Sequence, residues 1–347
     1  MLFSVIVPVY NRPDEVDELL TSLEGQTFVD FEVIIVEDGS TVTCRDVCRE
    51  HETRLNLHYF VKDNSGPGQS RNYGAERAEG RYLLILDSDV VLPAGYMQAI
   101  SDELNREEAD AFGGPDRAHP SFTPMQKAIS YSMTGFITTG GIRGGRKKLD
   151  RFYPRSFNMG IRRDVYERLG GFSKMRFGED IDFSIRIISA GCRCRLFPGA
   201  WVWHKRRTDL RKFFRQVYNS GIARINLYKL YPRSLKVVHV LPALFTAGSA
   251  LLILLSAVGR AMMHYDEANR HDWYYVCVLP WLPLLLFSLI VLVDASVRFR
   301  SLSIGLRSVA ASFTQLCGYG SGFLCAWWRR CVLGQDEFQA FRNTFYK

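Results

Sequence analysis

The sequence predicts an α/β fold, a mostly parallel sheet flanked by helices, followed by a C-terminal α-helical membrane region. In the N-terminal part, short β-rich runs alternate with amphipathic helical stretches. Strands that are apolar throughout and separated by helices are typical of a parallel sheet covered on both faces. Beyond residue 234 long apolar runs replace this alternation. We therefore expect two domains, residues 1–230 and residues 235–347.

The N-terminal part shows strand and helix patterns in regular succession. Apolar Val16, Leu19, Leu20 and Leu23 recur at helical spacing after the first strand, which indicates an amphipathic helix. The predicted strands are residues 3–10, 31–38, 55–61 and 81–87, and the predicted helices between them are residues 14–26, 43–51 and 68–78.

The C-terminal part contains two runs without formal charge, residues 237–258 and 273–293. Each is long enough to cross a bilayer, which requires roughly 20 apolar residues. A third segment, residues 308–328, is rich in Gly, Ser and Ala, and its pattern fits a span, a re-entrant segment or an interfacial helix equally well. Its "GYGSG" (318–322) predicts a small-residue surface for packing against neighbouring helices.

The flanking charges predict the orientation of these runs. Basic residues precede the first run (Lys205, Arg206, Arg207, Arg211, Lys212 and Arg215) and follow the second (Arg298, Arg300 and Arg307). Such residues favour the cytoplasmic side. The start, "MLFSVIVPVYNRPDE", lacks a basic n-region and indicates a strand instead of a secretion signal. We expect a cytoplasmic (inner) membrane protein in contact with membrane lipids, with its N-terminal domain on the cytoplasmic side.

The net charge predicts an anionic partner. It is +8 from 44 basic and 36 acidic residues, which suits nucleic acid, a membrane surface or an anionic substrate. The basic residues cluster near the apolar runs and no nucleic-acid recognition motif is present in the sequence. We therefore expect no nucleic-acid partner.

Two aspartates follow the fourth predicted strand in "YLLILDSDVVL". Asp87 and Asp89 lie two residues apart, so in an extended chain they point the same way. Ligands of open parallel sheets bind beyond the carboxyl ends of the strands. Two carboxylates there can share a hard divalent cation, although a loop with helix-capping aspartates explains the pair better when it is taken alone.

Polar groups also follow the other predicted strands. "VPVYNRP" (7–13) ends the first strand, "IIVEDGS" (34–40) the second, and "NSGPGQSRN" (64–72) follows the third. The glycines of the last segment permit close backbone approach, and the helix start favours phosphate. Together they predict a nucleotide site. No G-x-G-x-x-G follows the first strand, which disfavours a dinucleotide-binding Rossmann domain.

Two further segments carry candidate chemistry. "GEDIDFSIRI" (178–187) opens a predicted helix, where acidic residues are also favoured for electrostatic reasons alone. "GAWVWH" (199–204) predicts a strand in which Trp201 and Trp203 are buried on one side and His204 lies on the other.

These segments, with "SFNMGIRRDVYERLGGF", occur in the expected order over residues 3–204 and resemble family 2 inverting glycosyltransferases, which use the GT-A fold. The resemblance implies a nucleoside-diphosphate sugar donor and Mg²⁺ or Mn²⁺, with Asp38 at the base of the donor. It assigns donor binding to Pro8, Tyr10, Asn11, Glu37, Asp38, Arg71 and Asp87, metal binding to Asp87, Asp89 and His204, acceptor binding to Arg155, Asn158 and Glu179, and the general base to Asp180.

The acidic segment also bears on the acceptor. A hydroxyl acceptor needs a base, whereas a polyprenyl phosphate is already anionic, so Asp180 favours a hydroxyl of a glycan, lipid-linked or free.

The QxxRW motif of processive polysaccharide synthases is missing after Gln216, which favours transfer of a single sugar. The basic loop 141–155 is expected to gate donor or acceptor. The alternatives are a polyprenyl-phosphate glycosyltransferase and a non-catalytic nucleotide-binding membrane scaffold.

Overall fold

The computed structural model describes residues 1–117, 119, 121–139 and 152–342. By packing, the chain divides into one unit of residues 1–120, 148–205 and 341–347 and a second unit of residues 121–147 and 206–340. The boundary thus falls at residue 205, because the helix that follows it packs within the second unit. The two domains expected from the sequence, residues 1–230 and 235–347, are defined by a change in composition, and this division stays a prediction.

Ten strands lie in the described part of the chain. They are β1 (Phe3–Val9), β2 (Phe31–Asp38), β3 (Leu57–Lys62), β4 (Tyr82–Leu86), β5 (Val90–Val91), β6 (Ala111–Gly113), β7 (Asp116–Arg117), β8 (Asn158–Arg162), β9 (Cys194–Leu196) and β10 (Val202–His204). The main sheet has the order β3-β2-β1-β4-β8-β6-β9, and a small sheet has the order β5-β10-β7.

The helices alternate with these strands and then continue alone. They are α1 (Pro13–Glu24), α2 (Arg45–His51), α3 (Pro67–Ala75), α4 (Tyr96–Arg106), α5 (Pro124–Thr134), α6 (Phe136–Thr139), α7 (Arg163–Arg168), α8 (Glu179–Ser189), α9 (Leu210–Leu230), α10 (Val237–Tyr265), α11 (Arg270–Val278), α12 (Trp281–Phe299), α13 (Leu302–Trp327) and α14 (Glu337–Phe341).

The main sheet is mostly parallel, as predicted. β1 pairs in parallel with β2 and β4, and β2 with β3, whereas β8 runs antiparallel to β4 and β6. Side chains of β1 and β2 are buried on both faces, which explains the apolar runs Val5–Val9 and Val33–Val36 at their centres. Val16, Leu19, Leu20 and Leu23 of α1 are buried against one face, so the predicted amphipathic helix is confirmed.

Strand order determines where the functional side chains meet. β1 lies between β2 and β4, and these three parallel strands end at the same edge of the sheet. The segments after them therefore converge, and they carry the polar residues that the sequence places after each strand.

The second unit is helical and is built around α13. This helix packs against α5, α9, α10 and α12. A Cβ atom at Gly322 would lie 2.0 Å from the carbonyl oxygen of Tyr218, and one at Gly320 would lie 2.0 Å from Oγ1 of Thr246. The small residues of "GYGSG" thus permit the close helix contacts that the sequence predicts.

Two helical segments of this unit, Val237–Tyr265 and Arg270–Phe299, are long and apolar enough to cross a membrane. Only 6% of the residues in the most apolar stretch of each are buried, so these stretches are not the core of a soluble domain. The third predicted segment forms α13, which is largely enclosed by its neighbours, and its membrane topology stays a prediction.

Candidate active site

The loop after β1 is fixed by Asn11, which adopts a left-handed backbone with φ 54°. Its side-chain oxygen accepts hydrogen bonds from the backbone N–H groups of Thr41 (2.8 Å) and Val42 (2.9 Å). Its own N–H donates to the hydroxyl of Ser40 (2.8 Å). Asn11 therefore ties the β1–α1 loop to the β2–α2 loop. Of the predicted donor residues beside it, Pro8 is half-buried and Tyr10 is 51% exposed.

Asp38 holds the loop that leads into α3. One carboxylate oxygen accepts from Nζ of Lys62 (2.6 Å) and from the N–H of Ser65 (2.9 Å), and the other accepts from the N–H of Gly66 (2.8 Å). Gly66 has φ 91°, a conformation that favours glycine, and begins the helix. Asp38 thus shapes the start of α3 from the end of β2.

Glu37 lies in the interior, and its carboxylate is used within the fold. Its side chain is fully buried and accepts from the hydroxyl groups of Ser40 and Tyr59 and from the N–H of Cys44 (2.8 Å). All of these partners belong to the β2–α2 loop, α2 or β3. The structure therefore places Glu37 as a support of that loop.

Arg71 connects two acidic groups that are far apart in sequence. Its Nη2 donates to Oδ1 of Asp87 at 2.8 Å, and its Nη1 donates to Oε1 of Glu179 at 3.1 Å. The residue is 3% exposed, and its guanidinium lies over the ring of Phe172 at 5.1 Å. Burial and the neighbouring charge of Asp180 raise the pKa of Glu179, which is the expected result for a carboxyl group shielded from water beside another.

Asp89 lies between two other side chains. Its Oδ2 accepts from Nη1 of Arg12 at 2.8 Å, and its Oδ1 is 3.2 Å from Nε2 of His204. Burial would raise the pKa of Asp89, but the hydrogen bond and charge of His204 and the charge of Arg12 outweigh it and lower this pKa. Asp89 is therefore an anion in contact with a guanidinium and an imidazole.

The cluster of Asp87, Asp89 and His204 fits a divalent cation. One potential ligand atom from each residue lies within 4.8 Å of the others. Carboxylate oxygens and an imidazole nitrogen are accepted by Mg²⁺ or Mn²⁺. The imidazole stacks on Phe157 with ring centroids 5.0 Å apart, and its buried Nδ1 has no hydrogen-bond partner among the residues that the structure describes. The three metal ligands predicted from the sequence are thus close to one another in the structure.

Asp180 lies next to Glu179 at the start of α8. Its Oδ2 accepts from Nε of Arg155 at 2.9 Å. Burial would raise the pKa of Asp180, but the charges of Arg155 and Arg71 outweigh it and hold this pKa below its usual range. An ionised carboxylate at this position is able to accept a proton.

The predicted acceptor residue Asn158 is buried in the sheet. Its oxygen accepts from the hydroxyl of Tyr96 (2.7 Å), and its amide donates to the carbonyl of Ala200 (2.8 Å). At 2% exposure it holds β8 against α4 and the segment before β10. Among the predicted acceptor residues, Arg155 binds Asp180 and Glu179 binds Arg71, whereas both polar atoms of Asn158 are used within the fold.

A cavity of about 640 Å³ borders this arrangement. It is lined by residues 62 and 64–69 and by residues 173–176, and Glu179 forms part of its wall. Cavities of this volume are typical of small-molecule sites. A Cβ atom at Gly68 would lie 3.2 Å from Cγ of Glu179, so the glycine that the sequence suggests for close approach serves the contact between α3 and α8.

The expected burial of the two tryptophans is wrong. Val202 is fully buried, whereas Trp201 and Trp203 are half-buried and contact each other edge to face at 4.7 Å. Both tryptophans lie on one side of the strand, as expected, but the core packs against the opposite side, which carries Val202. Of the basic loop 141–155, residues 141–151 lie outside the described residues, so the gate stays a prediction.

The fold and the site define an α/β domain of the GT-A type with a clustered carboxylate site. Residues 4–170 match the model of the family described as Glycosyl transferase family 2. This match, over just under half of the chain, agrees with the family that the sequence resembles.

Curated relatives match parts of the chain. The uncharacterized glycosyltransferase EpsJ of Bacillus subtilis is 24% identical over 248 residues, which cover 66% of this chain and 71% of EpsJ. The poly(ribitol-phosphate) beta-N-acetylglucosaminyltransferase TarS of Staphylococcus aureus is 41% identical over 93 residues, 26% of this chain and 16% of TarS. In several of the strongest sequence matches this chain spans only 12–24% of the relative's length.

One solved structure supports the fold. The mannosyltransferase PcManGT of Pyrobaculum calidifontis, solved with GDP-Man and Mn²⁺, superposes with a TM-score of 0.57 at 15% identity. The superposition covers 94% of this chain and 87% of that one. The GT-A fold predicted from the sequence is confirmed.

Proposed function

We propose that this chain is a membrane-anchored, metal-dependent inverting glycosyltransferase that moves a single sugar from a nucleoside-diphosphate sugar to a hydroxyl of a lipid-linked glycan, in cell-surface polysaccharide or glycolipid synthesis. The main observation in support of this function is that Arg71 binds both Asp87 and Glu179. One guanidinium joins Asp87 of the cation-binding cluster to Glu179, which is followed directly by the candidate base Asp180. A donor site and a base therefore lie within the span of one side chain.

The donor half of the site uses the ends of β1, β2 and β4. Asp87, Asp89 and His204 would hold the divalent cation, and Asp38 and Arg71 would line the nucleotide. When bound, the cation supplies positive charge that stabilises the diphosphate leaving group. The TarS relative is named an N-acetylglucosaminyltransferase, which supports sugar transfer as the reaction class.

The acceptor half uses Asp180. This carboxylate takes the proton of the acceptor hydroxyl as the acceptor oxygen forms a bond to the anomeric carbon. The bond from that carbon to the donor phosphate breaks in the same displacement, and its electron pair leaves with the nucleoside diphosphate. A single displacement inverts the anomeric configuration, and no covalent enzyme intermediate is needed.

The membrane assignment rests on Val237–Tyr265 and Arg270–Phe299, which have the length and composition of spans. The basic residues before the first and after the second favour a cytoplasmic catalytic domain. A lipid-linked acceptor follows from this location, because its glycan is presented at the membrane surface.

A donor screen tests the proposal. The purified full chain is incubated with Mn²⁺ and a panel of nucleotide sugars, and released nucleoside diphosphate is measured with no acceptor, with polyprenyl-diphosphate-linked sugars and with polyprenyl phosphate. We expect release that needs Mn²⁺ and rises with the lipid-linked sugar. Release stimulated only by polyprenyl phosphate would favour the alternative transferase, and nucleotide binding without turnover on any arm would favour a non-catalytic scaffold.

A further inference from the structure

In the cluster of Asp87, Asp89 and His204, each carboxylate is bound by an arginine. Arg71 Nη2 is 2.8 Å from Asp87 Oδ1, and Arg12 Nη1 is 2.8 Å from Asp89 Oδ2. A divalent cation that binds both aspartates must therefore share them with two guanidinium groups. The two arginines differ in how easily they can release their aspartates.

The surroundings of the two arginines differ. The side chain of Arg71 is 4% exposed, lies over Phe172 and also binds Glu179. The side chain of Arg12 is 31% exposed. Moving Arg71 would take a buried guanidinium away from two carboxylates at once, Asp87 and the largely buried Glu179, which is costly. Arg12 is the more exposed of the two arginines, and a cation that binds Asp89 replaces its charge, so Arg12 can leave at a smaller cost.

The backbone of Arg12 does not need to move with its side chain. Its carbonyl accepts the hydrogen bond from Val16 N–H (3.2 Å) that opens α1. The preceding residue, Asn11, is tied to the backbone of Thr41 and Val42. Between these anchors the arginine side chain can change rotamer while the loop keeps its shape.

The local charges favour such a movement. The guanidinium of Arg12 is a permanent cation, and its Nη1 lies 2.8 Å from Oδ2 of Asp89. A divalent cation beside Asp89 repels that charge at short range. A donor diphosphate bound by the same cation is anionic and lies next to the same carboxylates, and it offers the guanidinium several oxygen acceptors in a geometry that arginine binds well.

We propose that Arg12 exchanges partners in the catalytic cycle: it binds Asp89 while the donor site is empty and moves to the donor diphosphate when a divalent cation takes Asp89. Arg12 is thereby a donor-binding residue that also keeps the two aspartates from repelling each other between turnovers. The inference rests on the proposed metal-dependent donor site.

The test compares Arg12→Gln with Arg12→Lys and with a matched control, Arg49→Gln. Arg49 is an exposed arginine of α2 that pairs with Asp46 at 3.5 Å, so its loss changes the net charge equally. Calorimetry on the full chain measures Mn²⁺ alone and then UDP and GDP at saturating Mn²⁺, and thermal unfolding confirms that each variant is folded.

We expect Arg12→Gln to bind Mn²⁺ about tenfold more tightly, because the competing charge is gone. We expect the same variant to bind the nucleotide that the wild type prefers about tenfold more weakly, the loss of one charge-assisted hydrogen-bond pair. Arg12→Lys should retain near wild-type Mn²⁺ affinity, and Arg49→Gln should match the wild type in both.

Two outcomes overturn the inference and are distinguishable. If the wild type binds Mn²⁺ and Arg12→Gln shows the same affinities for Mn²⁺ and nucleotide, the exchange is wrong and the donor site stands. If the wild type itself binds no Mn²⁺, both the exchange and the metal dependence in the proposed function are wrong.

Discussion

Arg155 donates from Nε to Oδ2 of Asp180 at 2.9 Å, so the candidate base is held by an arginine. The side chain of Asp180 is 18% exposed and that of Arg155 is 36% exposed. Arg155 is therefore the more solvent-exposed member of the pair. Under the proposed function, an acceptor hydroxyl that approaches Asp180 would share or displace this contact, so Arg155 would affect both the ionisation of the base and the entry of the acceptor.

Replacing Arg155 with Gln should shift the pH dependence of transfer. Burial favours the protonated form of Asp180, and Arg155 with Arg71 outweighs it, so the pKa of Asp180 lies below its usual value. Loss of Arg155 raises this pKa, and the acidic limb of the kcat profile should move to higher pH, because the base is then protonated over a wider range. The pH profile of kcat for wild type and variant provides the measurement.

The control is Arg106→Gln, an exposed arginine of α4 paired with Glu103. Its acidic limb should coincide with that of the wild type. An unshifted limb in Arg155→Gln, or a shift to lower pH, would contradict the assigned effect of Arg155 on the base.

Replacing Asp89 with Ala should remove metal-dependent donor binding. The substitution deletes one carboxylate of the three-residue cluster and leaves His204 and Asp87 as the remaining ligands, too few to retain Mg²⁺ or Mn²⁺ tightly. Calorimetry of UDP and GDP with and without Mn²⁺ should show a metal effect in the wild type and none in the variant. Asp46→Asn, at an exposed position of α2, serves as the control. A metal effect in the variant equal to that of the wild type would contradict the cluster assignment.

Replacing Gly322 with Ala should destabilise the helical unit. The added methyl group would lie 2.0 Å from the carbonyl oxygen of Tyr218, so α9 and α13 must separate, at a cost of about 1–3 kcal/mol. Gly248→Ala is the matched control, because no atom in the described part of the chain, apart from its own helix and chain neighbours, lies within 4 Å of its added Cβ. There the better helix propensity of alanine should stabilise α10 by up to about 1 kcal/mol. Thermal unfolding in detergent compares the two, and equal unfolding temperatures would contradict the packing.

The fold was predictable because its central strands are defined by local sequence. β2 spans the predicted residues 31–38, because the apolar run Val33–Val36 defines its centre. β8 was not predicted: it is a short antiparallel strand between β4 and β6, and its pairing depends on residues far away in sequence. Local periodicity contains no information about such a partner.

The sequence named the acidic residues of the candidate site and their partners Arg71, Arg155 and His204, but it missed Arg12. Asp87, Asp89 and Asp180 follow or begin elements that the sequence defines. Arg12 escaped notice because its partner Asp89 is 77 positions away, although its place beside Asn11 after the first strand was a usable signal. Glu37 and Asn158 fit a polar ligand site by sequence, but burial assigns their polar atoms to the protein itself.

The substitution Asp180→Asn tests the central claim most directly, since it keeps the size of the side chain and removes its ability to take a proton. Sugar transfer by the purified full chain and donor affinity by calorimetry are measured on the same preparation. We expect transfer to fall by about 10²–10⁴-fold, the usual contribution of a general base, while donor affinity stays close to that of the wild type. Transfer at the wild-type rate would contradict Asp180 as the base and with it the proposed reaction at a hydroxyl acceptor.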